Sequence, residues 1–163
     1  MNLYYHGTNL DGALGIARYG AILSRWDQEI LGLQTAIAAG QILKLAKDET
    51  LEDVALRLAS VGFSAEEIEQ KVKSVAISTE RIALMNARVH ERKHSGGVVL
   101  GFELPMNESS EIVFVPRSVS IDGLKEIQVF TTLARVENKE FDKLRTAFKK
   151  YSPSYVYVGY AGF

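Results

Sequence analysis

Four short groups of residues carry the chemistry this chain offers. His6-Gly7-Thr8 sets an imidazole, a bare backbone and a hydroxyl in succession, three groups suited to a polar, planar ligand. Ser78-Thr79 offers two hydroxyls where a brief apolar run gives way to a helical pattern. Glu126 heads Glu-Ile-Gln-Val, and the alternation of a strand puts its carboxylate on the same face as the Gln128 amide. His90-Glu91-Arg92-Lys93-His94 spells His-Glu-x-x-His, the helical spacing at which two imidazoles can share one metal ion. That last pattern reads better as a charged final helical turn. Its middle residues are Arg and Lys, Ser95-Gly96-Gly97 stops the helix at once, and cations there complement the helix dipole. No metal site is expected.

Taken singly, the other groups also have ordinary uses. Ser78-Thr79 is a normal helix cap, and a Glu on a strand is more often a solvent-facing residue than a catalyst. Their order along the chain, and the elements that must hold them, decide what they mean.

Asn2 to His6 reads as a strand with Leu3 and Tyr5 on one face and Tyr4 and His6 on the other. Thr8 or Asn9 caps a helix whose apolar stripe is Leu10, Ala13, Leu14 and Ala17, with Gly20 as its stop. Gly12 and Gly15 weaken that helix, which suggests a segment packed closely on it. Residues 25 to 73 are helical in character throughout. Within them Thr50 caps Leu51 to Ala59, Gly62-Phe63 breaks the run, and Ser64-Ala65-Glu66-Glu67 forms a capping box. The second half is strand-rich: Ser74 to Ser78, then a helix from Thr79 to Lys93, then the buried strand Val98 to Leu104 stopped by Pro105. Strands at Ile112 to Val115 and Leu124 to Thr132 follow, then a helix capped by Asn138 that lines up Phe141, Leu144, Phe148 and Tyr151. Ser154 to Tyr160 closes as a strand with tyrosines at alternate positions.

Composition narrows the function classes. At 163 residues the chain fits one domain with a real core. A net charge of −1 gives no global basic field to attract nucleic acid, though a local basic patch is compatible with it. The absence of cysteine removes disulfides, thiolate nucleophiles and cysteine-based zinc sites. There is no signal-peptide pattern and no apolar run near the roughly 20 residues that span a bilayer. A cytoplasmic protein, or an effector exported without a signal peptide, is the expectation; no membrane partner is expected.

The ordered set of strand-His-Gly-Thr, helix, helical insert, strand-Ser-Thr-helix, Gly-Gly-Val-Val-Leu-Gly-Phe-Glu-Leu-Pro and Glu-Ile-x-Val resembles the ADP-ribosyltransferase superfamily. The likeness is to the branch that opens with His-Gly-Ser/Thr, as in poly(ADP-ribose) polymerases and rifampicin ADP-ribosyltransferases. Tyr5-His6-Gly7-Thr8 is similar to their first motif. Val75-Ala76-Ile77-Ser78-Thr79-Glu80, an Ala-bearing helix and Gly97-Val98-Val99-Leu100 are similar to the central one. Glu126-Ile127-Gln128-Val129 resembles the strand that carries the catalytic acid. The likeness spans residue 3 to about 132 and leaves 25 to 73 unmatched.

The resemblance implies an α+β fold: an ADP-ribosyltransferase-like split β-sheet core, with a helical insert at 25–73, in a single domain over 1–163. It implies NAD as co-substrate, cleaved at the nicotinamide–ribose bond, with ADP-ribose passing to an unidentified acceptor (protein, nucleic acid, small molecule or water). Glu126 would bond the ribose and stabilise an oxocarbenium-like transition state, as in glycoside hydrolysis. His6 would hold the adenosine-side ribose, the backbone of Gly7 would pair with the nicotinamide amide, and Thr8 would line the same cleft. Ser78 or Thr79 would give that amide a hydroxyl, and Tyr19 would stack on the ligand.

Two departures qualify the likeness. The central strand, Val75-Ala76-Ile77, lacks the family's stacking tyrosine, so Tyr19, Phe130 or a C-terminal tyrosine must supply the ring. Leu124 stands two before Glu126, so the Glu-x-Glu pair of arginine-modifying relatives is absent and arginine is not the expected acceptor. Two other readings compete. RNA 2′-phosphotransferases share the fold and would use Arg88, His90, Arg92 and His94 as phosphate ligands, but their Asn-Gly-Val-Trp-like motif is not found here. A non-catalytic interaction module would keep the fold without the chemistry. The transferase reading requires His6 and Gly7 to line the same pocket as Glu126, on neighbouring strands.

Overall fold

The computed structural model describes residues 2–24, 51–94, 97–131 and 138–159. Strand β1 (Asn2–Asn9) runs into helix α1 (Leu10–Tyr19) and strand β2 (Ala21–Leu23). Helices α2 (Leu51–Ser60) and α3 (Ala65–Lys73) lead into strand β3 (Ser74–Ser78), helix α4 (Glu80–His94) and strand β4 (Gly97–Leu104). Strands β5 (Ile112–Pro116), β6 (Ser118–Ser120) and β7 (Leu124–Thr131) follow, then helix α5 (Asn138–Ala147) and strand β8 (Ser154–Gly159). Six strands form one sheet in the order β5-β3-β1-β4-β7-β8, while β2 and β6 form a separate ribbon. Every pairing is antiparallel except β7 with β8, which α5 connects. The fold is α+β, as the sequence suggested, and its sheet is mostly antiparallel.

The joints between strands are unequal. β1 pairs with β4 through eight residues and β3 with β5 through five, but β1 meets β3 only at Tyr5 opposite Ser78. The sheet therefore divides into a β5–β3 half and a β1–β4–β7–β8 half with a narrow seam.

The two faces of the sheet are covered differently. The larger core lies on the face carrying Tyr4, Val98, Leu100, Phe102, Ile127 and Val129, with Ala13, Ile16 and Ala17 of α1, Leu144 of α5 and Phe148 just after it packed onto it. Burying each large apolar side chain of this set contributes about 1.5–3 kcal/mol, which is why the alternation of these strands is so regular. On the opposite face α4 lies across β1 and β4, where Ala83 and Ala87 meet Val99, with Tyr5 and Leu84 beside them. Glycine sets that spacing. A Cβ at Gly7 would fall 2.2 Å from the Ala83 carbonyl oxygen, and one at Gly97 would fall 2.2 Å from that of Ala87.

Several local expectations can be compared with this architecture. Asn9, not Thr8, caps α1, its Oδ1 accepting from the Gly12 N–H at 2.6 Å, and Gly20 ends the helix at φ 70°. The space over Gly12 is filled by Thr8 and Asn9 at the entry of the same helix, and nothing lies within 4 Å of a Cβ at Gly15, so neither glycine answers to another segment packed on the helix. The Ser64 capping box is present, with Glu67 N–H donating to Ser64 Oγ at 3.2 Å. Of the helical insert, 25–50 (with its Thr50 cap) lie outside the described residues, and 51–73 form α2 and α3. The β2–β6 ribbon was not foreseen. Three-residue strands leave too little periodicity to read, and Ile22 and Val119 are held by the core they join.

Candidate functional site

One register row crosses the sheet. Ser78 of β3 stands opposite Tyr5 of β1, Tyr5 opposite Gly101 of β4, Gly101 opposite Glu126 of β7, and Glu126 opposite Ser154 of β8. Residues in one row share a face. For this row it is the α4 face, because Val75 and Ile77 beside Ser78, and Leu100 and Ile127 beside Gly101 and Glu126, point into the larger core. A bulge at Gly101/Phe102, where Leu124 rather than Lys125 becomes the partner of Phe102, puts both Leu124 and Glu126 on their observed faces.

Around this row the polar groups converge. The Gln128 side chain is buried at 5% exposure, and its Nε2 donates to Glu126 Oε1 at 2.6 Å and to Glu80 Oε1 at 3.2 Å. Both partners are carboxylates that accept, so the amide nitrogen is the end that faces them. Glu80 is the first residue of α4, where the positive end of the helix dipole favours a carboxylate. The pKa of the Tyr5 phenol is pushed up to about 12, first by burial and then by the negative charges of Glu80 and Glu126. Tyr5 therefore stays a protonated donor. Gly101 makes room between the two: a Cβ there would come 3.0 Å from Tyr5 Cε1 and 3.5 Å from Glu126 Cβ. The result is a tyrosine ring, a half-buried carboxylate, an exposed carboxylate and a buried amide around one glycine floor. Beyond Ser78 the same face stays open, since Ala76, Ile112 and Phe114 are exposed.

The expected site residues divide between the two faces. Glu126 and Ser78 share the row just described. Ser78 is 6% exposed and its hydroxyl donates to the Thr79 carbonyl at 3.0 Å. Thr79 links β3 to α4, and its carbonyl accepts from the Ala83 N–H at 3.1 Å, as a helix-capping residue's does. Gly7 is on the face of Glu126, one row away, opposite Val99 and then Gln128. Its bare side is occupied by α4, so helix packing already requires the glycine that was assigned to nicotinamide.

His6 is the main correction. Its row runs through Leu100 and Ile127, both in the larger core, so its side chain leaves β1 on the face opposite Glu126. β4 also separates β1 from β7, so the two are not neighbouring strands. A strand alternates its side chains, and no register can bring His6 and Tyr5 to one face. The imidazole instead spans the β1–β3 seam, with Nδ1 3.1 Å from the Ala76 carbonyl oxygen. Burial lowers its pKa below the ordinary value, and the bond to that carbonyl opposes the shift without overcoming it. Thr8 also leaves β1 on that side and is buried against Gly12 of α1. Tyr19 is 44% exposed at the end of α1, a helix packed on the larger core, so it does not reach the Glu126 face. The side chains of Phe130, Tyr157 and Tyr160, and those of His90, Arg92 and His94, lie outside the described residues.

Tyr5, Glu80 and Gly101 were missed as site residues. The pairing that assembles them joins residues far apart in the chain, although Tyr5 could be placed on the side of β1 opposite His6. Glu80 follows Thr79 directly, so its place at the helix start was legible. Among the described residues, no group of three or more His, Asp or Glu is placed to hold a metal ion, and no helix is long and apolar enough to cross a membrane. Compared with known proteins, the chain matches no family model and no curated protein.

Proposed function

We propose that this chain is an NAD-dependent ADP-ribosyltransferase, on an ADP-ribosyltransferase-like split sheet, that breaks the nicotinamide–ribose bond and passes ADP-ribose to an acceptor. One observation carries the reading: Glu126 is fixed by the buried Gln128 amide in the row that also holds Tyr5 and Ser78. Breaking a glycosidic bond builds positive charge on the sugar, and a carboxylate held in place beside it stabilises that charge without having to reorganise. Tyr5 offers the planar ring missing from the central motif, and Ser78 offers a hydroxyl to the nicotinamide amide. The narrow β1–β3 seam is consistent with a sheet in two halves. The requirement that His6 and Gly7 line one pocket with Glu126 on neighbouring strands is not met, because His6 lies across the sheet, β4 separates β1 from β7 and α4 fills the bare side of Gly7, so the proposal rests on Glu126 and its row alone.

The test is nicotinamide release from NAD. Glu126→Gln is expected to lose roughly 10²–10³-fold, the scale on which one aligned charge-stabilising group acts. His6→Ala is expected to lose far less; equal losses would return His6 to the site. If the folded wild-type protein releases no nicotinamide with water, protein, nucleic acid or small molecules as acceptor, the proposal is wrong. Turnover of a 2′-phosphorylated RNA end would put the phosphotransferase reading in its place.

A further inference from the structure

Glu126 is not the only carboxylate at the site, and Glu80 differs from it in three ways. It comes from a helix start, it is exposed where Glu126 is half-buried, and Gln128 holds it at 3.2 Å where it holds Glu126 at 2.6 Å. Because one Nε2 bonds both carboxylates, their oxygens lie within about 6 Å of each other. Two carboxylates held this near each other can work on one glycosidic bond and divide two tasks between them. One meets the developing sugar cation. The other handles the proton of the incoming nucleophile, and it needs a path to solvent to release that proton. Glu126, half-buried and gripped at short range, suits the first task; Glu80, open to water, suits the second.

Resting on the transferase reading, we infer that Glu80 is the general base that activates the acceptor, and that the acceptor is an O–H nucleophile, water being the simplest. The balance is NAD plus R–OH giving the ADP-ribosyl ether (free ADP-ribose when R is H), nicotinamide and a proton. The C1′–N bond breaks with its electron pair going to nicotinamide, whose ring loses its positive charge. The C1′–O bond forms as the acceptor proton moves to the Glu80 carboxylate and from there to solvent. Gln128 holds Glu80 by a hydrogen bond, and Tyr5, kept protonated, stands beside them in the Glu126 row. Both are positioning residues.

Azide separates this role from a structural one, because it is an anionic nucleophile that brings no proton to remove. Nicotinamide release with water as acceptor is measured for the wild type, Glu80→Gln, Glu80→Ala and Glu126→Gln, with and without sodium azide, after melting curves show that each is folded. Loss of a general base typically costs about 10²–10⁴-fold. Both Glu80 variants are expected to lose on that scale with water and to recover to within about tenfold of wild type in azide, yielding ADP-ribosyl azide by mass spectrometry. Glu126→Gln is expected not to recover. A wild type that releases nicotinamide while Glu80→Gln matches it, or loses activity that azide does not restore, overturns the role of Glu80 and leaves the transferase reading intact. A wild type that releases none overturns both.

Discussion

Replacing Gly7 and Gly15 with alanine should move stability in opposite directions, although the chemical change is identical. At Gly7 the new Cβ would sit 2.2 Å from the Ala83 carbonyl oxygen and 3.0 Å from the Ala87 nitrogen, both backbone atoms of α4 that no rotamer change can move. Relief requires the whole helix to withdraw by roughly 1 Å, and overpacking of this kind costs about 1–3 kcal/mol. For a domain of this size ~2 kcal/mol corresponds to a fall in Tm of about 4–8 °C. Gly97→Ala meets the same helix through the Ala87 carbonyl at 2.2 Å and should cost a similar amount. Since one retreat of α4 relieves both clashes, the double variant should lose less than the two single losses together. Gly15 lies within α1 with nothing inside 4 Å of its Cβ. Alanine there reduces the freedom of the unfolded chain and should gain about 0.4–1 kcal/mol. Urea unfolding followed by far-UV circular dichroism measures the four variants against wild type, with a constant m-value as the check that only stability has changed. A Gly7→Ala protein as stable as wild type, or a Gly15→Ala protein less stable than Gly7→Ala, would refute the close seating of α4 on β1.

Two pH responses follow from the half-buried His6 imidazole and Tyr5 phenol. His6 has a lowered pKa in the folded protein, so the unfolded chain takes up its proton first as pH falls. Its contribution to stability is present above about pH 6.5, the unfolded value, and declines as pH drops below it. Comparing Tm from pH 8 to pH 5 for wild type and His6→Asn should show the steeper acid loss in wild type, and parallel curves would contradict the assignment. Tyr5, raised to about 12, should be the tyrosine still un-ionised when the absorbance near 295 nm has risen for exposed ones, and Tyr5→Phe should delete that late step. Since its folded pKa lies above the unfolded value of about 10, its contribution to stability is whole below pH 10 and is lost as pH climbs towards 12.

The sequence by itself determined the local elements and the faces of each strand. Alternation placed Tyr5 opposite His6 within β1, and Glu126 beside Gln128 within β7, because a side-chain period of two is a property of a few consecutive residues. Turn glycines and the Ser64 capping box were legible for the same reason: their geometry closes within four or five residues. Tertiary structure alone decided which of these faces met. The strand order put β4 between β1 and β7, and the register set Tyr5, Gly101 and Glu126 in one row, pairings between residues up to about a hundred positions apart that no local pattern encodes. It also decided what the glycines are for. Gly7 and Gly97 are held to glycine by the backbone of α4, a contact visible only once the helix lies on the sheet. His6-Gly7-Thr8 looked like one side of a cleft because its residues are adjacent in the chain. A strand sends neighbours to opposite faces, so the site formed around Tyr5 and Glu126, on the side that His6 does not share.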